Sequence, residues 1–333
     1  MSKQKFKDLD FLFLSAYIAA KQPHMLSENL CERMLDASSF SECAKLLEEC
    51  GYPDMSEMRA EEIDAVLAGR RDDVFAELAQ LSPCKELVDV FRCKYDYHNA
   101  KALIKAEGAN VDAVHLLSGS GRMAVQPLCD AYHEERYGSM PGAVGKAVES
   151  ARGILARTDN PQLADFELDR AYFEELLSLA AETGSSFLTG YVKVMIDSAN
   201  LRSAVRTLRM GRGTDFLREA LIPGGEYSVE SVIAASGSAE TLGALFATGA
   251  LRPAAELTPE AVSGSLTDFE KACDNCVSKY LAGARMQSFG EAPVIAYIAA
   301  VENEISAARM ILTGRLSGVN TELIKERLRE LNA

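Results

Sequence analysis

Three stretches of this chain repeat one another about a hundred residues apart, and that spacing limits the fold more than any other feature. They read YDYHNAKALIKA (95–106), MIDSANLRSAVRTLR (195–209) and AAVENEISAARMILTG (299–314). Aligned on Asn99, Asn200 and Asn303, each copy carries a basic residue six positions later: Lys105, Arg206 and Arg309. Apolar residues lie between (Leu103 and Ile104, Ala204 and Val205, Ala307 and Ala308), and other helical stretches precede them, with aromatics near their ends (Phe187, Tyr191; Phe289, Tyr297). Tetratricopeptide, ankyrin and armadillo units repeat at roughly 33–47 residues, so this period excludes them. Triplication of a small helical domain is the simplest reading, with repeats over 1–118, 119–221 and 222–333.

The local signals agree on an all-α fold. No run alternates β-branched and polar residues for more than a few positions. Ser39 and Glu42 form a capping-box pattern ahead of a helical run that Gly51 can stop. Pro83 can open a helix reaching Gly108. Further helices are expected over 141–157, 161–182, 185–210, 265–288, 292–313 and 319–331. Several exceed the roughly 11-residue average, so long helices dominate.

Composition removes several functions. An apolar fraction of 48% is too high for a disordered chain. A formal charge of −14 opposes binding to phosphate backbones and adsorption on anionic lipid, so neither nucleic acid nor a bare membrane surface is the expected partner. The most apolar stretch, DFLFLSAYIAA (10–20), is about half as long as the roughly 20 residues of a spanning helix. It precedes Lys21, Gln22 and Pro23 rather than a small-residue cleavage site. Eight cysteines without a compact framework read as reduced thiols of a cytosolic protein.

Catalytic patterns are missing too. GAVGKA (142–147) lacks the glycine spacing and the Ser/Thr of a phosphate loop. Neither a G-x-S-x-G elbow nor an H-E-x-x-H helix occurs, and His24, His98, His115 and His133 are scattered. Cys273 and Cys276 make one pair where a structural zinc needs four ligands, and Cys43/Cys50 and Cys84/Cys93 have the wrong spacing. Glu134/Glu135 and Glu174/Glu175 read as solvated helix faces. No catalytic residue, cofactor or metal is expected. The repeated Asn99, Lys105, Asn200, Arg206, Asn303 and Arg309 remain as candidates, either for packing between helices or for contact with a partner.

Several segments resemble one family, the C subunits of the bacterial and archaeal V/A-type rotary ATPases, counterparts of the d subunit of eukaryotic V-ATPase. DRAYFEELLSLA (169–180) is similar to the helix opening the family's second repeat, and IPGG (222–225) to its inter-repeat turn. YDYHNAKALIKA resembles its first-repeat signature, and SAYIAAKQPHML (15–26) its opening helix, with Ala19 and Ala20 where an arginine is expected nearby. The most specific likeness runs over 265–319, through the Phe-Gly, Pro-Val-Ile-x-Tyr and Glu-x-Glu-Ile segments to Arg309.

The resemblance implies a non-catalytic rotor component. Three similar helical domains would surround a pseudo-threefold axis as a funnel. Its socket would take the central shaft, made of the D and F subunits, and its other face would rest on the cytoplasmic loops of the membrane proteolipid ring. The shaft-interface role of the six repeated residues belongs to this reading. Isolated, the chain is expected to be a monomer. In the cell it is expected to be peripheral on the cytoplasmic face of the membrane, without direct insertion. A different class, a helical-repeat adaptor docking helices or peptides in a concave groove, would also explain the repeats, though not the likeness over 265–319.

Overall fold

A computed structural model describes residues 6–331, and all regular structure among them is helical, without strands. In chain order the helices are α1 (Leu12–Lys21), α2 (Glu28–Asp36), α3 (Phe40–Leu46), α4 (Ala60–Leu81), α5 (Lys85–Ala109) and α6 (Val125–His133). Then follow α7 (Val144–Thr158), α8 (Pro161–Thr183), α9 (Ser186–Arg209), α10 (Thr214–Ala220), α11 (Val229–Ala235) and α12 (Ala239–Phe246). The last are α13 (Arg252–Ala255), α14 (Thr258–Ser263), α15 (Thr267–Ala282), α16 (Glu291–Leu316) and α17 (Thr321–Arg327).

Side chains cap many helix starts. Ser27, Ser39, Asn160, Ser185, Ser228, Ser238 and Asn320 each accept a hydrogen bond from an orphan backbone N–H two or three residues on. The Ser39 box is only half closed, because the Glu42 carboxylate turns to the backbone N–H and hydroxyl of Ser38. Gly51 ends its run in the left-handed conformation at φ 83°, after a 3₁₀ turn over Leu47–Cys50. The helix expected from Pro83 starts at Lys85, beyond an extended Cys84. The stretch 265–288 breaks at Ala282 into a 3₁₀ turn, and 319–331 is helical only to Arg327, where Leu328 becomes extended.

Packing divides the chain into two compact units. One contains Cys84–Val277. In it α8 lies between α5 and α9 and packs also on α7, while α12 and α14 cover α9. Leu87, Val88, Leu168, Leu176, Val192 and Ile196 are fully buried in its interior. The other unit joins Phe6–Pro83 to Ser278–Ala333. There α16 packs against α1, α2, α3, α4 and α17, and it is buried all round over Ala292–Ala299, as a central helix must be. Met34, Met55, Ile63 and Leu67 are fully buried in this unit, as are Ile305 and Ile311 of α16 itself. Each fully buried aliphatic side chain contributes about 1.5–3 kcal/mol.

The GAVGKA segment is packing, not a loop for phosphate. A Cβ on Gly145 would sit 1.9 Å from the Tyr137 carbonyl oxygen, so glycine lets α7 meet that backbone. Among the described residues no helix is long and apolar enough to cross a membrane.

Candidate functional site

The repeated basic residues all reach acidic residues on a neighbouring helix. Lys105 Nζ lies 2.9 Å from Asp165 on α8, Arg206 Nη2 lies 2.6 Å from Glu270 on α15, and Arg309 Nε lies 2.7 Å from Asp64 on α4. One turn earlier the first two junctions repeat the pattern. Lys101 pairs with Asp169 at 2.5 Å, and Arg202 pairs with Asp274. Basic residues at i and i+4 thus meet acidic residues at j+4 and j on an antiparallel partner. These side chains are mostly a quarter to a half exposed, so each pair contributes only about 0.2–1 kcal/mol. Their effect is on register and choice of partner.

The repeated asparagines face elsewhere, because six residues turn a helix face by about 240°. Asn99 is fully buried; its Nδ2 donates to the Ser118 carbonyl at 2.9 Å and its Oδ1 accepts from the Ser118 N–H at 2.8 Å. Asn200 holds Ile222 in the same way, both bonds at 2.8 Å. Each thereby pins the segment that leaves its repeat.

A second residue, three positions earlier, completes this lock. Asp96 accepts from the Arg122 N–H at 2.8 Å. Asp197 accepts from the Glu226 N–H at 3.1 Å and the Tyr227 N–H at 3.4 Å. Gly121 and Gly225 stand at the same place in both segments. A Cβ there would come within 2.5 Å and 2.1 Å of the aspartate oxygen, so only glycine lets the backbone approach. Burial raises both carboxyls above the ordinary range, and Asp197 reaches about 6 although two backbone N–H groups oppose the shift.

In the first repeat the lock continues into a buried charge cluster. Arg122 donates Nε to Asp96 at 2.6 Å and Nη1 to Glu175 at 2.7 Å. Glu175 also accepts from the Tyr97 hydroxyl at 2.9 Å and the Ala143 N–H at 3.1 Å. The expectation that Glu174 and Glu175 form a solvated face therefore holds for exposed Glu174 and fails for Glu175, which α8 turns inward.

The third repeat differs. Ala300 stands where Asp96 and Asp197 stand, and Asn303 is half-buried, its side chain making no hydrogen bond among the described residues. Glu304 is the buried acid here. It accepts from the Leu26 N–H at 2.8 Å and the Tyr52 hydroxyl at 2.7 Å, tying α16 to two loops, and burial raises its carboxyl. Two turns before Arg309, Glu302 lies 3.2 Å from Arg71 of α4, a pair with the charges reversed in which Arg71 is buried and Glu302 mostly so.

Self-comparison of the sequence does not single out the acidic partners Asp64, Asp165 and Glu270. Asp165/Asp169 and Glu270/Asp274, each four apart, are a readable signal, and so is Asp three before Asn in two copies. All eight cysteines are buried free thiols, and burial pushes Cys273 up to about 11. Among the described residues no group of three or more His, Cys, Asp or Glu side chains is placed to hold a metal.

What repetition singles out is therefore a set of helix junctions and locks: the site defines a structural helical subunit. The model of the ATP synthase (C/AC39) subunit family matches residues 14–327. The chain is 22% identical to the C subunit of the V-type sodium ATPase of Enterococcus hirae, over 97% of this chain and 99% of that one. It is 24% identical to the C subunit of the A-type ATP synthase of Methanocaldococcus jannaschii (96% and 86%), and 25% identical to that of the V-type ATP synthase of Thermus thermophilus (66% and 73%). The chain belongs to the ATP synthase (C/AC39) subunit family and is a non-catalytic subunit of a V/A-type rotary ATPase complex.

Proposed function

We propose that this subunit is the collar of the central rotor, linking the D–F shaft to the membrane proteolipid ring. Through it, ATP hydrolysis or synthesis elsewhere in the complex is coupled to proton or sodium movement. The repeats 1–118, 119–221 and 222–333 are arranged about a pseudo-threefold axis as a funnel with a central socket. The subunit is a monomer before assembly and sits on the cytoplasmic face, held by protein loops rather than lipid.

One observation carries this reading: the same acid–base helix junction occurs three times, and its third instance joins α16, from the last repeat, to α4, from the first. A linear stack would leave its end repeats each with one such partner missing, whereas a closed set of three uses every repeat twice, once for a basic and once for an acidic helix. Long helices packed at interior density resist the bending that torque would impose. The junction residues Lys105, Arg206 and Arg309, with Asn99, Asn200 and Asn303, shape the wall that meets the shaft.

The test is reconstitution. Wild-type chain should co-purify with a D–F pair and with detergent-solubilised ring, and restore ATP-driven ion uptake to complex stripped of this subunit, while showing no ATPase activity alone. A chain that binds neither D–F nor ring, and leaves uptake unrestored, refutes the reading.

A further inference from the structure

The two locks share their backbone geometry but not their charges. Gly121 and Gly225 align, so Glu226 stands in the second segment where Arg122 stands in the first. Arg122 sets a guanidinium 2.6 Å from Asp96. Asp197 is 4% exposed and meets a second acid at that place, not a base. Lys193, one turn earlier on α9, is drawn to the Glu226 carboxylate at 3.5 Å. Asp197 keeps only two backbone N–H groups, those of Glu226 and Tyr227 at 3.1 and 3.4 Å.

Among the described residues no other element packed on α9 offers it a counter-charge. Helix α8 presents Leu177 at Gly224, and its Arg170 donates to the Glu219 carbonyl. Arg218 of α10 lies 3.8 Å from Glu230 of α11. Glu240 of α12 and Glu260 of α14 are exposed acids. Asp274 and Glu270 of α15 pair with Arg202 and Arg206, further along α9 than Asn200. A carboxylate buried without a cation is stabilised by taking up a proton. The segment above it also has room to move. Pro223, Gly224 and Tyr227 border a cavity of about 470 Å³, which Arg170 and Arg218 also line, so water reaches the carboxyl once the segment lifts.

We propose that residues 222–227 form a pH-sensitive latch: a proton on Asp197 holds the link between α10 and α11 down on α9, and loss of that proton lets it lift. Asn200 still grips Ile222 through two hydrogen bonds, so the motion is confined to the stretch that follows. The first segment, with Arg122 in place, lacks this sensitivity. The sign follows from burial. The held carboxyl titrates at about 6 and the lifted one near 3.8, so lifting releases a proton and becomes easier as pH rises. Between pH 5 and pH 7 the lifted population grows about tenfold on these values. The latch goes beyond the rotor reading, and neither depends on the other.

Amide exchange of the whole wild-type chain at pH 5 and pH 7, corrected for the intrinsic chemical rate, reads the latch directly. Protection at Glu226 and Tyr227 should fall about tenfold between the two, and protection over 118–122 should fall less. Glu226→Arg changes an exposed side chain and rebuilds the charge pattern of the first segment. It should hold protection nearly level across this range. Asp197→Asn removes the titrating group and should do the same. Should Asp197→Asn perturb the fold, Glu226→Arg decides alone. A lock with a purely structural role would leave wild-type protection unchanged between the two pH values, and that result overturns the proposal. So does a tenfold fall that persists in the variants, because another group is then titrating.

Discussion

Replacing Arg71 by Met tests the energetics of the α4–α16 junction most sharply. The Arg71 side chain is 7% exposed and Glu302 is 17% exposed, with Nε and Oε1 3.2 Å apart. Removing one member of a buried pair leaves the other desolvated, which costs about 3–5 kcal/mol. The neighbouring Arg309–Asp64 pair is the control, at 43% and 49% exposed and 2.7 Å. Arg309→Met should cost no more than about 1 kcal/mol, because water screens what remains. The shorter pair is thus expected to matter less, and exposure decides the order. Urea unfolding followed by circular dichroism suits a chain without tryptophan. For a slope of about 1–3 kcal/mol per M, Arg71→Met lowers the midpoint of the unit holding α4 and α16 by about 1–5 M. The joint replacement Arg71→Met/Glu302→Leu should recover most of that loss, since no charge is then buried. Equal, small losses for Arg71→Met and Arg309→Met, or no recovery in the double variant, would refute the reasoning.

The locks give further expectations. Asn99→Ala and Asn200→Ala each orphan a buried backbone N–H and C=O and should cost about 2–4 kcal/mol, whereas Asn303→Ala costs under about 1 kcal/mol; thermal melts separate the two classes. Gly121→Ala or Gly225→Ala drives a methyl into the aspartate oxygen and should cost about 1–3 kcal/mol; no loss on urea unfolding would mean the segments shift freely. The raised Asp197 carboxyl, at about 6 against 3.8 unfolded, binds its proton more tightly in the folded state. Its contribution is therefore complete below about pH 4 and is lost as pH rises through about 6. It amounts to about 2–3 kcal/mol, and Asp197→Asn should flatten that segment of the stability–pH curve. Burial pushes Cys31 up to about 12, so iodoacetamide at neutral pH should leave it unmodified until denaturant is added.

The long signature helices are legible in the sequence because each carries its own start signals and enough apolar positions to show a period: α8 has Asn160 and Pro161, α9 has Ser185. Helix α4 is not, although it forms half of a junction. Its interior mixes Arg70, Arg71, Asp72 and Asp73 with the apolar stripe, and its cap is Arg59 rather than a short polar residue. The charged stretch that blurs its periodicity includes Arg71, which pairs across the junction. The same limit hides Glu175: beside Glu174 it looks solvated, and only Arg122, 53 residues away in sequence, shows that it is buried. The repeated Asn and basic residues emerge by self-comparison, but their roles need partners that no spacing reveals.

Likeness among repeats creates a pairing problem, and the reversed pair bears on it. By register with Asp64, Asp165 and Glu270, Arg71 of α4 corresponds to Tyr172 on α8 and Val277 on α15. By register with Asn303, Glu302 of α16 corresponds to His98 on α5 and Ala199 on α9. The outer charges alone would let any signature helix pair with any acidic partner, since all three present base to acid. If α16 docked on α8 it would bury Glu302 against a tyrosine. If α4 accepted α9, Arg71 would be buried against an alanine. Either mispairing desolvates a charge without its counterpart, at a cost larger than an exposed ion pair returns. The weak outer pairs thus set a register common to all three junctions, and one strong inner pair makes the junction between the first and last repeats unlike the others.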